Sequence, residues 1–181
     1  MRIGFIGAQS VGKTTLANLL AEETGFTLIR EQIRISVKAF NALGFSTPDE
    51  LANSTWYPHM MLEVYRRQLR CELQSHAGFV SDRTTLDYFG YYELLNSDED
   101  FLVNLFRKSF IDHYRANYDL VIYIPIMFPA VDDNYRNINE DFRKKVDSKL
   151  RSLMGENKNV HVLKSLDLME RLKEVVQLCK F

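Results

Sequence analysis

The sequence predicts an α/β fold built on a parallel β-sheet, and three features of the chain point to it. Short apolar runs alternate with amphipathic helical patterns along the whole length. A glycine-rich loop at 7–12 separates the first apolar run from the first helical pattern. The run at 120–124 is apolar without interruption, as expected of a central strand that is covered on both faces. We therefore expect three layers, with five parallel strands and helices on both faces of the sheet.

The individual elements follow from local patterns. Apolar runs predict strands at residues 2–6, 27–30, 79–81, 120–124 and 160–163, of which the third is short and weakly apolar. Apolar residues at helical spacing predict a helix that begins at Lys13 and ends before Gly25, a typical stop signal. The same spacing predicts helices near 32–43, 59–76, 84–96, 99–117, 142–153 and 168–176. The stretch 45–58 is less regular, and 125–138 is predicted as a loop.

The composition limits the classes of protein to consider. The chain has 181 residues, a length that suits one domain with its own core. Its 23 basic and 24 acidic side chains leave a net charge of −1, which argues against nucleic-acid binding by bulk positive charge. Two cysteines without CxxC spacing are too few for a disulfide scaffold, predict buried or incidental thiols and fit a reducing compartment. We expect a single domain over residues 1–181.

The sequence shows no targeting or membrane segment. The first apolar stretch is too short for a signal-peptide core and leads directly into the glycine loop. The longest stretch, 120–131, contains Pro125 and Pro129 and falls short of the ~20 residues that a spanning helix needs. The sequence therefore predicts a cytoplasmic protein that has no membrane partner.

Residues 7–14, Gly-Ala-Gln-Ser-Val-Gly-Lys-Thr, match the phosphate-loop pattern G-x-x-x-x-G-K-[ST] in full. Glycines let backbone N–H groups approach phosphate oxygens, and the amino end of the following helix adds its dipole. Lys13 is expected to contact the β- and γ-phosphates and Thr14 to coordinate Mg²⁺. The alternative is a plain glycine turn with an exposed lysine. The residues expected at the nucleotide are Gly7, Gln9, Ser10, Val11, Gly12, Lys13, Thr14 and Thr15.

Charged residues follow two predicted strands at the sheet edge where open α/β sheets bind ligands. Asp82 is expected to hold Mg²⁺, usually through water, and Arg83 to clamp a phosphate or an acceptor group. Glu31 could orient or deprotonate an acceptor hydroxyl. The alternatives are a surface ion pair for Asp82 and Arg83, and a helix-terminal glutamate that the dipole favours for Glu31.

The polar segment 132–143 follows the strongest strand and leads into a helix. Its Arg136 and Arg143 lie seven residues apart, on one side of that helix if the helix begins early. Two arginines there could neutralise charge on transferring phosphates, and a lid over 126–145 would exclude water. The alternative is a solvated, charged helix start.

A kinase is favoured over a GTPase or a motor. The guanine-reading pattern N-K-x-D is absent, since Val160 stands where its aspartate would be. The letters D-x-x-G at Asp87–Gly90 fall within a predicted aromatic helix, which indicates a chance match. Motor ATPases normally use larger domains with a more hydrophobic strand before the Mg²⁺ aspartate.

Together these residues resemble a small phosphate-loop kinase of the AAA-domain ATPase/kinase group of bacteria and phages, which includes nicotinamide riboside kinase-like domains. The resemblance covers nearly the whole chain and is carried by residues 7–15, Glu31, 82–87, 118–123 and 132–143. It implies the phosphate-loop NTPase fold with the Asp82 strand beside the loop strand. It also implies ATP and Mg²⁺ as cofactors and an acceptor hydroxyl on a nucleoside, nucleotide or similar molecule.

Likeness to deoxynucleoside and thymidylate kinases implies further roles. Glu31 corresponds to their acceptor-side carboxylate and Asp82-Arg83 to their acidic-arginine motif. One departure is Ser81, where an apolar residue is usual. The acceptor pocket is expected between the second and third strands, where Trp56 could stack on a base with ~1–3 kcal/mol. The other residues considered for this pocket are Arg34, Phe40, Phe45, Tyr57, Tyr65, Arg66, Arg67 and Arg70, with core packing as the alternative for each ring.

Three hypotheses of function remain open from the sequence. The first is a kinase for a small nucleoside- or nucleotide-type acceptor. The second is a DNA-modifying kinase that acts on a hydroxymethylated base or a DNA end, which the basic clusters 66–70 and 143–145 leave open. The third is a nucleotide-binding regulatory module that hydrolyses ATP slowly or not at all. A homodimer is also left open, and the acceptor is not identified.

Overall fold

Five strands form one parallel sheet in the computed structural model, which describes residues 1–52, 54–95, 101–130, 139–155 and 159–179. The strands are β1 (Arg2–Ile6), β2 (Thr27–Ile29), β3 (Phe79–Ser81), β4 (Leu120–Tyr123) and β5 (Val160–Val162). Their order across the sheet is β2-β3-β1-β4-β5. The predicted five-stranded parallel sheet is thus confirmed. Strand β3 lies beside β1, with Val80 opposite Ile3, as the resemblance implied.

Eight α-helices occur within the described residues. They are α1 (Lys13–Thr24), α2 (Gln32–Ala39), α3 (Pro48–Ala52), α4 (Tyr57–Gln74), α5 (Thr85–Leu95), α6 (Phe101–Asn117), α7 (Glu140–Met154) and α8 (Leu168–Leu178). Helix α1 ends at Gly25, as predicted. Gly25 has a φ of 71°, and its N–H donates a hydrogen bond to the Ala21 carbonyl, which forms a left-handed cap. Helix α2 is shorter than predicted, because the Phe40 amide bonds to the Val37 carbonyl and tightens the chain into a 3₁₀ turn at Asn41–Leu43. Helix α3 lies in the stretch that the sequence left irregular.

The core occupies two regions. The larger one surrounds β1 and β4 and includes Leu16 and Leu20 of α1. The smaller one joins α2, α4, α5 and α6 and is rich in rings, with Tyr57 stacked on Tyr92 and Tyr65 stacked on Phe110. Tyr57 and Tyr65 therefore pack in the protein, as the core alternative proposed for each ring.

Two expectations from composition can be compared with the structure. Cys71 and Cys179 are both free; Cys179 is buried and Cys71 is partly buried, which agrees with the predicted buried or incidental thiols. Among the described helices, none combines the length and the apolar character needed to cross a membrane.

Candidate functional site

The loop at 7–12 wraps the side chain of Lys13 at the carboxyl end of β1. Gly7 and Gly12 have φ of 153° and 94°, and a Cβ atom at Gly7 would lie 2.5 Å from the carbonyl oxygen of Ile124. The Lys13 ammonium donates to the carbonyl oxygens of Gly7 at 2.7 Å and Ala8 at 2.5 Å. Because Lys13 is buried, the alternative of a glycine turn with an exposed lysine does not hold.

Burial changes the electrostatics of Lys13. Removal from water, and next the repulsion of the Arg83 charge, lowers the pKa of Lys13 to about 7. The carboxylates of Asp87, Asp82 and Glu31 oppose this shift. The side chain therefore titrates near neutral pH, and an anion bound beside it would favour its charged form.

Asp82 and Thr14 meet at the carboxyl edge of the sheet. The Thr14 hydroxyl donates to Asp82 Oδ2 at 2.8 Å, and the Asp82 amide donates to the Ile29 carbonyl at 2.9 Å. Asp82 is only 3% exposed, so a surface ion pair is excluded. Its burial raises the pKa of the carboxyl group, while Arg83 and Lys13 oppose the rise.

These two side chains fit a Mg²⁺ ion. Within the described residues, the buried Asp82 Oδ1 has no hydrogen-bond partner. A carboxylate oxygen and a hydroxyl are the hard oxygen donors that Mg²⁺ prefers. The described part of the chain holds no group of three or more His, Cys, Asp or Glu side chains suited to a metal. Water and phosphate oxygens would therefore complete the coordination, as is usual for Mg²⁺.

Glu31 is held by two arginines on the side of the site next to β2. Arg83 Nε donates to Glu31 Oε1 at 2.6 Å, and Arg34 Nε donates to Oε2 at 2.9 Å. Burial alone disfavours the Arg83 charge, but Glu31, Tyr91 and Asp87 raise the pKa of Arg83 well above its ordinary value. Glu31 is the residue before α2, yet its side chain makes no capping bond to that helix. Its carboxylate is directed to the arginines instead.

Asp87 is a site residue whose role the sequence analysis missed. It lies in α5, as expected, but its Oδ1 accepts the Gly7 amide at 3.2 Å. Its Oδ2 accepts the amide and the hydroxyl of Thr84 at 3.1 and 2.9 Å. Thr84 and Asp87 thus form a capping box at the start of α5. The spacing T-x-x-D before an apolar run is a signal that could have identified this pair.

Two buried arginines contact the outer side of the loop. Arg143 of α7 donates through Nε to the Gln9 carbonyl at 2.9 Å and through Nη2 to the Ser10 carbonyl at 3.1 Å. Arg171 of α8 donates through Nη1 to the Val11 carbonyl at 3.3 Å. The alternative of a solvated, charged helix start does not hold for Arg143, which is 1% exposed.

Arg136 and Arg171 compare differently with the sequence analysis. Arg136 lies outside the described residues, so its predicted place on one helix face with Arg143 stays a prediction. Arg171 was missed by the sequence analysis. Its signal is an arginine among Leu168, Leu172 and Val175, on the apolar face of the last helical pattern.

The model of the AAA domain family matches residues 2–171. The chain belongs to this family. The match extends over both edges of the site, from the loop strand to Arg171. A comparison with curated proteins finds no match for this AAA domain.

Solved structures share the fold of this AAA domain. Deoxyadenosine kinase from M. mycoides with dCMP and dCDP bound has a TM-score of 0.70 at 16% identity, covering 99% of this chain and 98% of the kinase. Thymidylate kinase from Ehrlichia chaffeensis has a TM-score of 0.63 at 20% identity, covering 99% and 98%. NadR in complex with NAD and AMP-PNP has a TM-score of 0.69 at 23% identity, covering 97% of this chain and 48% of NadR. The predicted phosphate-loop kinase fold is confirmed.

Ser81, the departure from the kinase pattern, is satisfied inside a buried polar network. Its hydroxyl donates to the Arg83 carbonyl at 2.7 Å and accepts from Gln68 Nε2 at 2.8 Å. Gln68 also donates to Glu72 at 2.7 Å, and Glu72 accepts the Tyr118 hydroxyl at 2.6 Å. The network ties α4 to the turn that carries Asp82 and Arg83. A polar residue at this strand end is therefore compatible with a well-held Asp82.

The aromatic side chains of the predicted acceptor region have different environments. Trp56 is 43% exposed, with its ring 5.6 Å from that of His59 and 6.4 Å from that of Phe40. On the loop side, the Tyr91 hydroxyl of α5 donates to Gln9 Oε1 at 2.6 Å. The Trp56 ring is thus partly exposed, and Tyr91 joins α5 to the loop.

Proposed function

We propose that this AAA domain is an ATP- and Mg²⁺-dependent phosphotransferase that moves the γ-phosphoryl group to a nucleoside, nucleotide or similar small acceptor. The observation that carries the proposal is the convergence of Lys13, Thr14, Asp82, Arg83 and Glu31 at one edge of the sheet. A cation, a metal-ligand pair and an acceptor-side carboxylate are the parts that phosphoryl transfer requires. The shared fold with deoxyadenosine and thymidylate kinases supports this reading.

The donor side is formed by the loop. Lys13 would exchange its bonds to the Gly7 and Ala8 carbonyls for bonds to the β- and γ-phosphates, where its charge is stabilised. The Thr15 side chain and the backbone around Gln9 would complete the cradle. Thr14 and Asp82 would hold Mg²⁺, which when bound neutralises charge on the phosphates.

The acceptor side is formed by Glu31 and Arg83. The two Glu31 oxygens accept guanidinium bonds from Arg83 and Arg34. A carboxylate oxygen can accept more than one hydrogen bond, so an acceptor hydroxyl could also donate to Glu31. In the transfer, the acceptor O–H proton passes to Glu31 and the acceptor oxygen bonds to the γ-phosphorus. The bond from the γ-phosphorus to its bridging oxygen breaks, and ADP leaves. Arg83 would stabilise charge on the moving phosphoryl group.

The position of Arg143 suggests a different role from the one that the sequence suggested for it. Arg143 contacts loop carbonyls, so we propose that it positions the loop and does not touch the transferring phosphates. A lid over 126–145 that closes with Arg136 stays a prediction, because residues 131–138 lie outside the described part of the chain.

Transfer of labelled phosphate from ATP tests this function. The full chain is incubated with Mg²⁺ and, in separate reactions, nucleosides, nucleotides and DNA with hydroxymethylated bases or free ends. We expect label on a nucleoside or nucleotide. Label only on DNA would favour the DNA-modifying hypothesis, and ATP hydrolysis without any acceptor would favour the regulatory module. Lys173→Ala, at an exposed lysine of α8, is the control for Lys13→Ala.

A further inference from the structure

The contacts of Arg143 and Arg171 cover three consecutive carbonyl groups of the loop, those of residues 9, 10 and 11. The arginines come from different helices, α7 and α8, and are separated from the loop by more than 130 residues of chain. Both side chains are almost fully buried. Two separate helices therefore act on one short stretch of backbone.

Holding these carbonyls fixes the direction of the amides that follow them. In a trans peptide group, the C=O bond and the next N–H bond point in opposite directions, and the described residues contain no cis peptide. The N–H groups of Ser10, Val11 and Gly12 therefore point away from the two arginines. Ser10 has a φ of 55° and Gly12 a φ of 94°. Consecutive amides around such left-handed residues form concave anion sites.

Arg171 is itself rigidly held. Its Nε donates to the Ser165 carbonyl at 2.6 Å, and its guanidinium lies over the Phe128 ring at 5.7 Å from the centroid. Within the described residues, no carboxylate forms an ion pair with it. Burial lowers the pKa of Arg171, but a guanidinium stays charged in proteins. Its charge therefore lies next to Val11 with no ion-paired carboxylate among the described residues, which favours a bound anion at the loop.

We propose that Arg171, together with Arg143, is a positioning residue of the phosphate site. Through the Val11 carbonyl it holds the Gly12 amide on the phosphate side of the loop before any ligand arrives, while Arg143 does the same for Ser10 and Val11. This inference rests on the proposed nucleoside triphosphate site. It adds the last helix of the chain to the parts that prepare that site.

Titration with inorganic triphosphate, followed through the backbone ¹H–¹⁵N signals of the loop, tests the proposal. The full chain is compared with Arg171→Met, Arg171→Lys and the control Lys173→Met, which removes an exposed cation of the same helix. We expect wild type and Lys173→Met to bind equally. Arg171→Met should bind roughly tenfold more weakly, with a reduced shift of the Gly12 amide, because misplaced donors lose contact with the phosphate. Arg171→Lys keeps the charge but loses the planar set of guanidinium donors, so its affinity for triphosphate should be intermediate.

The possible results distinguish a failure of this inference from a failure of the proposed function. If Arg171→Met and Arg171→Lys bind triphosphate as wild type does, with the same amide shifts, Arg171 has no positioning role and the proposed function stands. If a lower melting temperature without ligand is the only change, the role of Arg171 is structural and the inference is wrong. If wild type binds no triphosphate, the proposed function fails as well. If Arg171→Met does not fold, the affinity of Arg171→Lys for triphosphate decides between these outcomes.

Discussion

The Thr14 hydroxyl donates to the Asp82 carboxylate at 2.8 Å, across 68 residues of chain. This bond joins the first turn of α1 to the end of β3, and it exists because β3 lies next to β1 in the sheet. The second Asp82 oxygen is buried without a partner among the described residues. A pair of this kind, half satisfied and at the ligand-binding edge of the sheet, suits a divalent cation.

We expect Asp82→Asn to reduce phosphoryl transfer at least ~100-fold, because an amide is a poor Mg²⁺ ligand. The chain should still fold, since asparagine keeps the size of the side chain and can accept the Thr14 bond. Initial rates across a Mg²⁺ titration measure the effect. Asp112→Asn, at an exposed aspartate of α6, is the control and should leave the rates unchanged. Full activity of Asp82→Asn would remove Asp82 from the metal site.

Lys13→Met should lower the activity of the protein without lowering its stability. Turnover should fall by orders of magnitude, because the phosphates lose their cation. The melting temperature should stay equal or rise, because a buried ammonium without a ligand is replaced by an apolar chain of similar length. Calorimetric melting and steady-state rates on the same samples test both parts. A large loss of stability would show that the bonds to Gly7 and Ala8 hold the loop together.

Binding of triphosphate should take up protons near pH 8. The Lys13 pKa is lowered to about 7 in the free protein, and phosphate oxygens favour the charged form, so the pKa is higher in the complex. The complex then holds more protons than the free protein above pH 7. Affinity for inorganic triphosphate should therefore fall by up to about tenfold per pH unit as the pH rises above 7. Isothermal titration in two buffers of different ionisation enthalpy measures the uptake, which Lys13→Met should abolish.

Glu31→Gln should lower kcat ~100-fold or more while the KM for ATP stays within about twofold, because the glutamine cannot take the acceptor proton. The Arg83 and Arg34 contacts of the carboxylate lie on the side of the site next to β2. Glu63→Gln is the matched control, at a half-exposed glutamate of α4. An equal loss in kcat and in donor affinity would assign Glu31 to holding the site together.

Asp87→Ala should destabilise the protein by roughly 1–3 kcal/mol, because it leaves the buried amides of Gly7 and Thr84 without their acceptor. Chemical denaturation measures the free energy of unfolding. Asp141→Ala, at an exposed position in the first turn of α7, should cost less than about 1 kcal/mol. Equal effects of the two substitutions would show that the Asp87 capping box contributes little.

Local patterns in the sequence were sufficient to predict most of the fold. The strands, the loop at 7–14 and the Gly25 cap depend on periodicity and on conformations that only certain residues adopt, so the chain determines them within a few residues. The five-residue α3 was missed, because so short a segment has no periodicity to read. The sequence could not account for Ser81 either, because the partner of its hydroxyl, Gln68, lies on another element.

The sequence by itself determined the parallel fold, the phosphate loop and the order of charged residues along it. The tertiary structure alone decided that Asp87 binds the Gly7 amide and that Arg143 and Arg171 hold the loop from outside. It also decided that Tyr57 packs in the core while Trp56 stays accessible. These contacts join residues far apart in the chain. Their geometry depends on how helices pack over the sheet, which no local pattern of residues specifies.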